Sequence, residues 1–397
     1  MLERTDWQYE TMKDICYVNQ GFQINIQKRE KHKRKNNKIY ITIQHLNGVG
    51  DNEYIKDADH NESVVCSPND VLMTRTGNTG RVVTGVSGVF HNNFFRINFD
   101  KDKVDKNYLV YYLNQKTIQN LILEKAGTST IPDLNHGDFY SIPFNYPKSL
   151  KEQKAIASAL LNIDNLIASL TLLIDKKKKI KSQMINTIFN KKNFNSNLKT
   201  ISLNKIGYVY NGLSGMNSEN FKDGNKKFIT FLNVLNNPII KENQIEKFNS
   251  VKNQNCVKNG DLFFNTSSET PDEVALCSTI NFDVKELYLN SFCFGFRITD
   301  ESINNVYLSY FFRSKYGRNI IKNLAQGSTR YNLPKKKFIE YPICIPSSIV
   351  EQNENADILV NIDSEIEMLN IKLLKYQKIK DGMMEDLLTG KVRLSYE

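Results

Sequence analysis

The sequence predicts an α+β protein in the form of a pseudo-twofold tandem repeat: two globular domains separated by two long helices that form an antiparallel coiled coil. Three observations predict it. Matching signals recur in the same order in both halves, most of them 199 positions apart. Each half opens with short β-branched and aromatic runs broken by Gly, Asn and Pro, the pattern of strands and loops. Each half then closes on a long stretch whose apolar residues repeat every 3.5 positions.

The repeat is the strongest of the three. Glu152-Gln153 returns as Glu351-Gln352, and Asn162-Ile163-Asp164 as Asn361-Ile362-Asp363. Pro143 and Pro147 match Pro342 and Pro346, Leu134 matches Leu333, and Tyr108-Leu109 matches Tyr307-Leu308. Upstream the offset drifts by a few residues, as loop insertions and deletions make it do. Ile39-Tyr40-Ile41-Thr42 resembles Phe228-Ile229-Thr230-Phe231, Asp70-Val71-Leu72 resembles Asp261-Leu262-Phe263, and Phe95-Arg96-Ile97 resembles Phe296-Arg297-Ile298.

In chain order, residues 1–148 form the first globular domain, with strands and a helix or two over 106–125. Residues 149–192 form the first long helix. Residues 198–347 repeat the domain, with a helix or two over 306–325, and 348–391 form the second long helix. The first helix has a seam at Ile156, Leu160, Ile163, Ile167, Leu170 and Ile174, with spacings of 4, 3, 4, 3 and 4. Lys177 and Lys181 interrupt that register before Met184 and Ile188 resume it. The second seam is Leu359, Ile362, Ile366, Leu369, Leu373 and Tyr376, with Asn355 and Lys380 as polar interruptions. Ser149 and Ser348 each stand three residues before a glutamate, a capping signature, and Gly390 is a stop signal. A rod of about 40 residues is roughly 60 Å long and cannot bury a narrow stripe alone. The most economical partner is the other helix, antiparallel to it.

Composition narrows the function. The net charge of +10 favours a polyanionic partner. Six scattered cysteines form no CxxC pair and no histidine lies at metal-ligand spacing, so they read as reduced thiols and no metal site is expected. The N-terminal stretch is charged and no run nears 18 apolar residues, so a cytoplasmic chain without a membrane span is expected. Catalytic signatures are missing as well. The nearest string to an adenine-methyltransferase motif, Asn236-Asn237-Pro238-Ile239, lacks the second proline and the aromatic. No phosphate-cradling loop occurs, and Gly48-Val49-Gly50 and Gly77-Asn78-Thr79-Gly80 read as turns. Pro132-Asp133 with Glu152-Gln153-Lys154 fits a loose metal-nuclease pattern. The second half, however, has Tyr331-Asn332 and Glu351-Gln352-Asn353 there, without the aspartate or the lysine. Neither catalytic residue nor bound cofactor is therefore expected in this chain.

Three sets of polar residues are candidates for contact with a duplex. Lys28, Arg29, Lys31, Lys33, Arg34 and Lys35 form a basic run suited to phosphates. Arg75, Asn78 and Arg81 leave the Asp70-Val71-Leu72 strand, and Asn265, Ser267, Ser268 and Glu269 leave its counterpart. Thr128 and Thr130 follow Gly127, and Thr329 and Arg330 follow Gly327. Arginine suits guanine, asparagine adenine, and glutamate the cytosine amine. A framework that repeats while its polar tips differ suits two readers of different sequences. The competing expectation is a coiled-coil scaffold whose globular domains bind proteins.

With these features the chain resembles the specificity subunits of Type I restriction–modification systems. The most specific likeness lies in the paired Glu-Gln…Asn-Ile-Asp segments and the closing Leu387-Leu388-Thr389-Gly390-Lys391-Val392-Arg393. The resemblance implies two target-recognition domains, each reading half of a bipartite double-stranded DNA site, with the helix pair setting the unread spacer. It implies two adenine-methyltransferase subunits and restriction/translocase subunits as partners. S-adenosylmethionine, ATP and Mg²⁺ would belong to those partners. The first helix departs from the likeness by ending in Phe189-Asn190-Lys191-Lys192.

Overall fold

A computed structural model describes residues 6–127, 130–190, 197–215, 224–249 and 254–394. The chain divides into two compact units, Met1–Thr171 with Lys372–Glu397, and Leu172–Ile371. The division falls inside both long helices. Each unit holds one globular domain, the start of the helix that follows it, and the end of the other helix.

In the first unit, Trp7–Thr11 pairs antiparallel with Pro143–Pro147, tying the domain's first strand to its last. An antiparallel sheet runs in the order Cys16–Gln20, Phe94–Phe99, Val71–Thr74, Val82–Val83. Val71–Thr74 is buried along its whole length, as a central strand of Val, Leu, Met and Thr should be. A second sheet runs Tyr54–Lys56, Asn37–Ile41, Gly88–Phe90, Val65–Cys66. Its central pair, Asn37–Ile41 and Gly88–Phe90, is parallel. Gly88 is required there: at φ +153° a Cβ would stand 2.3 Å from the Ile39 carbonyl oxygen.

The second unit repeats this plan. Leu198–Ser202 pairs with Pro342–Pro346. One sheet runs Gly207–Asn211, Cys293–Ile298, Leu262–Asn265, Cys277–Thr279, and another Ile245–Phe248, Lys226–Ile229, Leu287–Leu289. Lys226–Ile229 and Leu287–Leu289 are again the parallel pair. Thr42 and Thr230 both cap the short helix after the parallel strand, accepting from His45 N and Asn233 N. That fixes the repeat one residue away from the sequence match: Tyr40-Ile41-Thr42 corresponds to Phe228-Ile229-Thr230. The aspartates that open the central strands are structural. Asp70 accepts from Ser67 N at 2.7 Å, and buried Asp261 holds Arg297 at 2.7 Å and the Tyr210 hydroxyl at 2.6 Å.

Of the one or two helices expected in each domain, the structure has two. Lys106–Leu113 and Lys116–Ala126 are separated at Asn114 and Gln115. Asn305–Arg313 and Lys315–Leu324 are separated at Ser314, whose extended backbone ends one helix while its Oγ accepts from Gly317 N to start the next. Periodicity alone misses a break that leaves the apolar pattern intact.

The long helices are Leu150–Ile188 and Ile349–Leu388. The Oγ atoms of Ser149 and Ser348 accept from Glu152 N and Glu351 N, both at 3.4 Å. Gly390 takes a left-handed φ of +66° just past the second helix; Lys191 and Lys192 lie outside the described residues. Seam residues Ile156, Leu160, Ile163, Leu170, Ile174, Leu359 and Ile362 are buried, whereas Ile167, Ile366, Leu369, Leu373 and Tyr376 are only half-buried. Ile156 and Leu160 lie in the core of the first domain and Leu359 in that of the second.

Each unit pairs its helix segments antiparallel. In the first, Asp164 meets Lys380 at 2.6 Å and Glu152 meets Arg393 at 2.7 Å. Ile156 and Leu160 share one core with Met384, Leu387 and Leu388. In the second, Lys177 meets Glu365 and Lys181 meets Asp363, both at 2.5 Å. Leu359 shares a core there with Phe189, whose ring lies 5.2 Å from that of Tyr307.

By length and composition only, the first long helix is apolar enough to cross a membrane, and part of that apolar content, Ile156 and Leu160, is packed in the core of the first unit. Besides the seam it carries Leu161, Leu166, Leu172 and Leu173 exposed off the seam, and the second helix carries Ile358, Met368, Ile371, Leu374 and Ile379 likewise. Helical polar residues such as Asn162, Asp164 and Ser169 only dilute that content.

Candidate nucleic-acid interface

In both domains the structure brings together two polar segments that are far apart in sequence. In the first, Thr76 bridges Asp133, so the loop leaving Val71–Thr74 lies against the segment after Gly127. In the second, Ser267 and Ser268 pair with Asn332 and Tyr331, and Arg330 Nε donates to Ser267 Oγ at 3.1 Å. One polar edge per domain therefore combines both loops.

The residues on these edges do different work. The turn at Gly77, Asn78 and Gly80 is left-handed, with φ of 70°, 84° and 89°. Thr74 Oγ1 holds it by accepting from Arg81 N at 2.9 Å. The Arg75 guanidinium donates to Asp133 at 2.7 Å and to the Leu134 carbonyl at 3.4 Å, and lies over the Phe95 ring. Its side chain is 17% exposed. Arg75 thus clamps the two loops together rather than projecting from them. Arg81 donates to Asn47 Oδ1 at 2.7 Å. Asn265 is fully buried: its amide donates to the Ser267 and Glu273 carbonyls and its oxygen accepts from Leu276 N. It holds the loop and offers nothing to a ligand. Asn78, Thr130, Glu269, Thr329 and Arg330 are exposed, and Ser267 and Ser268 half-exposed. Thr128 lies outside the described residues.

Replacing Arg75 with alanine is expected to lower stability by about 1–3 kcal/mol, because a charge-assisted bond and a carbonyl partner are lost. DNA binding should weaken for every sequence alike. Urea unfolding, together with a panel of single-base-changed duplexes, checks this. Relaxation at one base pair without loss of stability would restore Arg75 as a reader.

The basic run also separates by role. Arg29 is bound to Glu53 at 2.8 Å and to the Ile24 carbonyl, with Tyr40 beneath it. Arg34 lies 3.7 Å from Glu30. Lys28, Lys31, Lys33 and Lys35 are exposed, a positive charge suited to phosphates.

Three groups that sequence reasoning passed over join domain to helix. Buried Gln153 donates to the Lys103 and Pro147 carbonyls and accepts from Asp105 N, each at 2.8 Å. Gln352 repeats this with Ser302, Pro346 and Asn304. The recurrent glutamine is therefore the clamp between a domain and its helix. Next, Tyr111 donates to Asp164 at 2.8 Å while Lys380 binds the same carboxylate. Tyr310, Asp363 and Lys181 repeat that triad. Burial, with the carboxylate beside it, pushes both tyrosine hydroxyls up, so they remain donors. The available signal was that Lys181 and Lys380 are themselves 199 positions apart. Finally, Arg393 bridges Asp6 and Glu152, with no arginine at the corresponding place in the first helix.

The carboxylates of the loose nuclease pattern are committed elsewhere, Asp133 to Arg75 and Glu152 to Arg393. Among the described residues no group of three or more His, Cys, Asp or Glu is arranged to hold a metal ion.

The family described as the Type I restriction modification DNA specificity domain matches residues 4–182 and again 186–376. The MjaVIII Type I restriction enzyme specificity subunit of Methanocaldococcus jannaschii is 24% identical over 375 residues, covering 89% of this chain and 86% of the relative. The putative MjaX specificity subunit of the same organism is 25% identical over 318 residues, 76% of this chain and 72% of its own length. The fold is that of the M. genitalium Type I S subunit, with a TM-score of 0.59 at 15% identity over 100% of this chain and 99% of that one. It is also that of the HsdS subunit from Thermoanaerobacter tengcongensis, at 0.51 and 12% over 98% of each. Two matches in tandem, one to each half of the duplication, place this chain in the family of Type I restriction modification DNA specificity domains.

Proposed function

We propose that the chain is a DNA sequence-specificity subunit that reads a bipartite duplex site, one half per recognition domain, and directs methyltransferase and restriction subunits to it. The observation that carries this reading is the pair of polar edges. The four-stranded sheet behind them has the same order in both domains, and Thr76 bridges Asp133 where Ser267 pairs with Asn332, yet one edge presents Asn78 and Thr130 and the other Glu269, Thr329 and Arg330. Like scaffolds with different donors and acceptors at the tips are what two unlike half-sites demand. The exposed lysines near the first edge supply sequence-independent attraction.

The helix pair sets the distance between the half-sites and carries the partners. Off-seam Leu161, Leu172, Met368 and Ile371 offer apolar area for two adenine-methyltransferase subunits. Chemistry belongs to those partners: S-adenosylmethionine to the methyltransferases, ATP and Mg²⁺ to restriction/translocase subunits. This chain supplies the address. Single-molecule sequencing of DNA from cells co-expressing it with its neighbouring methyltransferase should give one split, adenine-methylated motif. An unmethylated genome would overturn the reading.

A further inference from the structure

The two polar edges differ at one further place, where the turn between the sheets reaches the reading loop. In the first domain His91 Nδ1 accepts from Asn93 N at 3.1 Å, and the Asn93 carbonyl accepts from Arg75 N at 2.7 Å. In the second, Asn290 Oδ1 accepts from Phe292 N at 2.9 Å, and the Phe292 carbonyl accepts from Thr266 N at 2.9 Å. The two turns are built alike, and they place Phe292 where the first domain has Asn93. Asn290 is itself buried and donates to the Ile229 carbonyl, so the turn is held from behind. Phe292 is 63% exposed, its ring propped edge-to-face on Phe231 at 6.4 Å. Leu232, next to Phe231, is 62% exposed and corresponds to the exposed Gln44 of the first domain, counting from the capping threonines. Two polar residues of one domain are thus apolar in the other.

Nothing in the domain's own packing calls for an exposed phenylalanine at a rigid turn. Its backbone is bonded directly to the loop that carries Ser267, Ser268 and Glu269, so whatever that loop meets, Phe292 meets too. Resting on the reading that this edge faces DNA, the occupant is fixed by chemistry. The major-groove base edges carry donors, acceptors and a single kind of apolar group, the 5-methyl of thymine. We propose that Phe292, flanked by Leu232, is a specificity-determining residue of the second domain that packs on a thymine methyl group in its half-site.

The test uses the full chain in complex with its methyltransferase and duplexes carrying the methylated motif. Each thymine of both half-sites is replaced in turn by deoxyuridine, which removes only the methyl group. One replacement, in one half-site, should weaken binding roughly fourfold, the worth of one buried methyl. Phe292→Asn should bind the thymine and deoxyuridine duplexes equally, while Leu232→Gln should retain part of the preference. Phe292 is exposed, so an unchanged melting temperature accompanies the effect. Phe292→Asn keeping the full wild-type preference would overturn the assignment. So would a loss of methyltransferase co-purification with the preference intact, which would make the patch a protein contact. Failure of the wild-type complex to bind any motif would instead sink the DNA-reading proposal itself.

Discussion

Leu160→Asp should unfold the first unit, at a cost of about 4–5 kcal/mol, and Leu359→Asp should do the same to the second. Each side chain is fully buried in a core that includes residues of its own domain. The first core also includes Met384, Leu387 and Leu388 from the end of the other helix, and the second includes Phe189. Truncating a buried leucine costs about 2–5 kcal/mol, and an unpaired carboxylate placed there adds a desolvation penalty. Because the core of each unit includes one end of each helix, each substitution should release both the helix start and the helix end in that unit. Thermal unfolding with hydrogen exchange reads this directly: protection should vanish at 150–165 together with 380–390 for Leu160→Asp. Leu161→Asp is the control. That residue is 46% exposed, so the melting profile should stay within about 0.5 kcal/mol of the wild type, while capture of the methyltransferase weakens. Equal destabilisation by the two neighbouring substitutions would refute the seam.

Long-period features were legible in the sequence because their cause is local. A seam at spacings of 4 and 3 follows from helix geometry alone, and the repeat doubled the evidence for it. Features set by partners far along the chain were not. Arg75 and Arg330 are the same residue type on the two polar edges, yet one is neutralised by Asp133, 58 positions away, and the other is exposed. Asn265 looked like a polar tip because the chain leaves an apolar strand there. Only the fold reveals that the loop closes over it. Lys181 and Lys380 read as interruptions of the seam; their carboxylates, Asp363 and Asp164, lie on the opposite helix within the Asn-Ile-Asp signals. Half-buried ion pairs of this kind add little stability. Because one lysine admits one carboxylate at one register, they specify the alignment of the helices.

That register makes the length of the helix pair an adjustable quantity. Asp164 with Lys380 and Lys181 with Asp363 set residues 169–175 opposite 369–375. Each stretch is one heptad holding two seam positions, Leu170 and Ile174 in one, Leu369 and Leu373 in the other. Removing both stretches together keeps every remaining seam residue on its face and leaves all four ion-pairing side chains intact. The helices shorten by about 10 Å at 1.5 Å per residue, close to three base pairs at roughly 3.4 Å each. Cells carrying this variant with the methyltransferase should methylate both half-sites unchanged, separated by a spacer about three base pairs shorter. Removing only one stretch should abolish methylation, since the ion pairs and seams can no longer align together. An unchanged spacer in the double deletion would show that something other than the helix pair measures the distance. A lost half-site would show that the helices shape the recognition edge as well as position it.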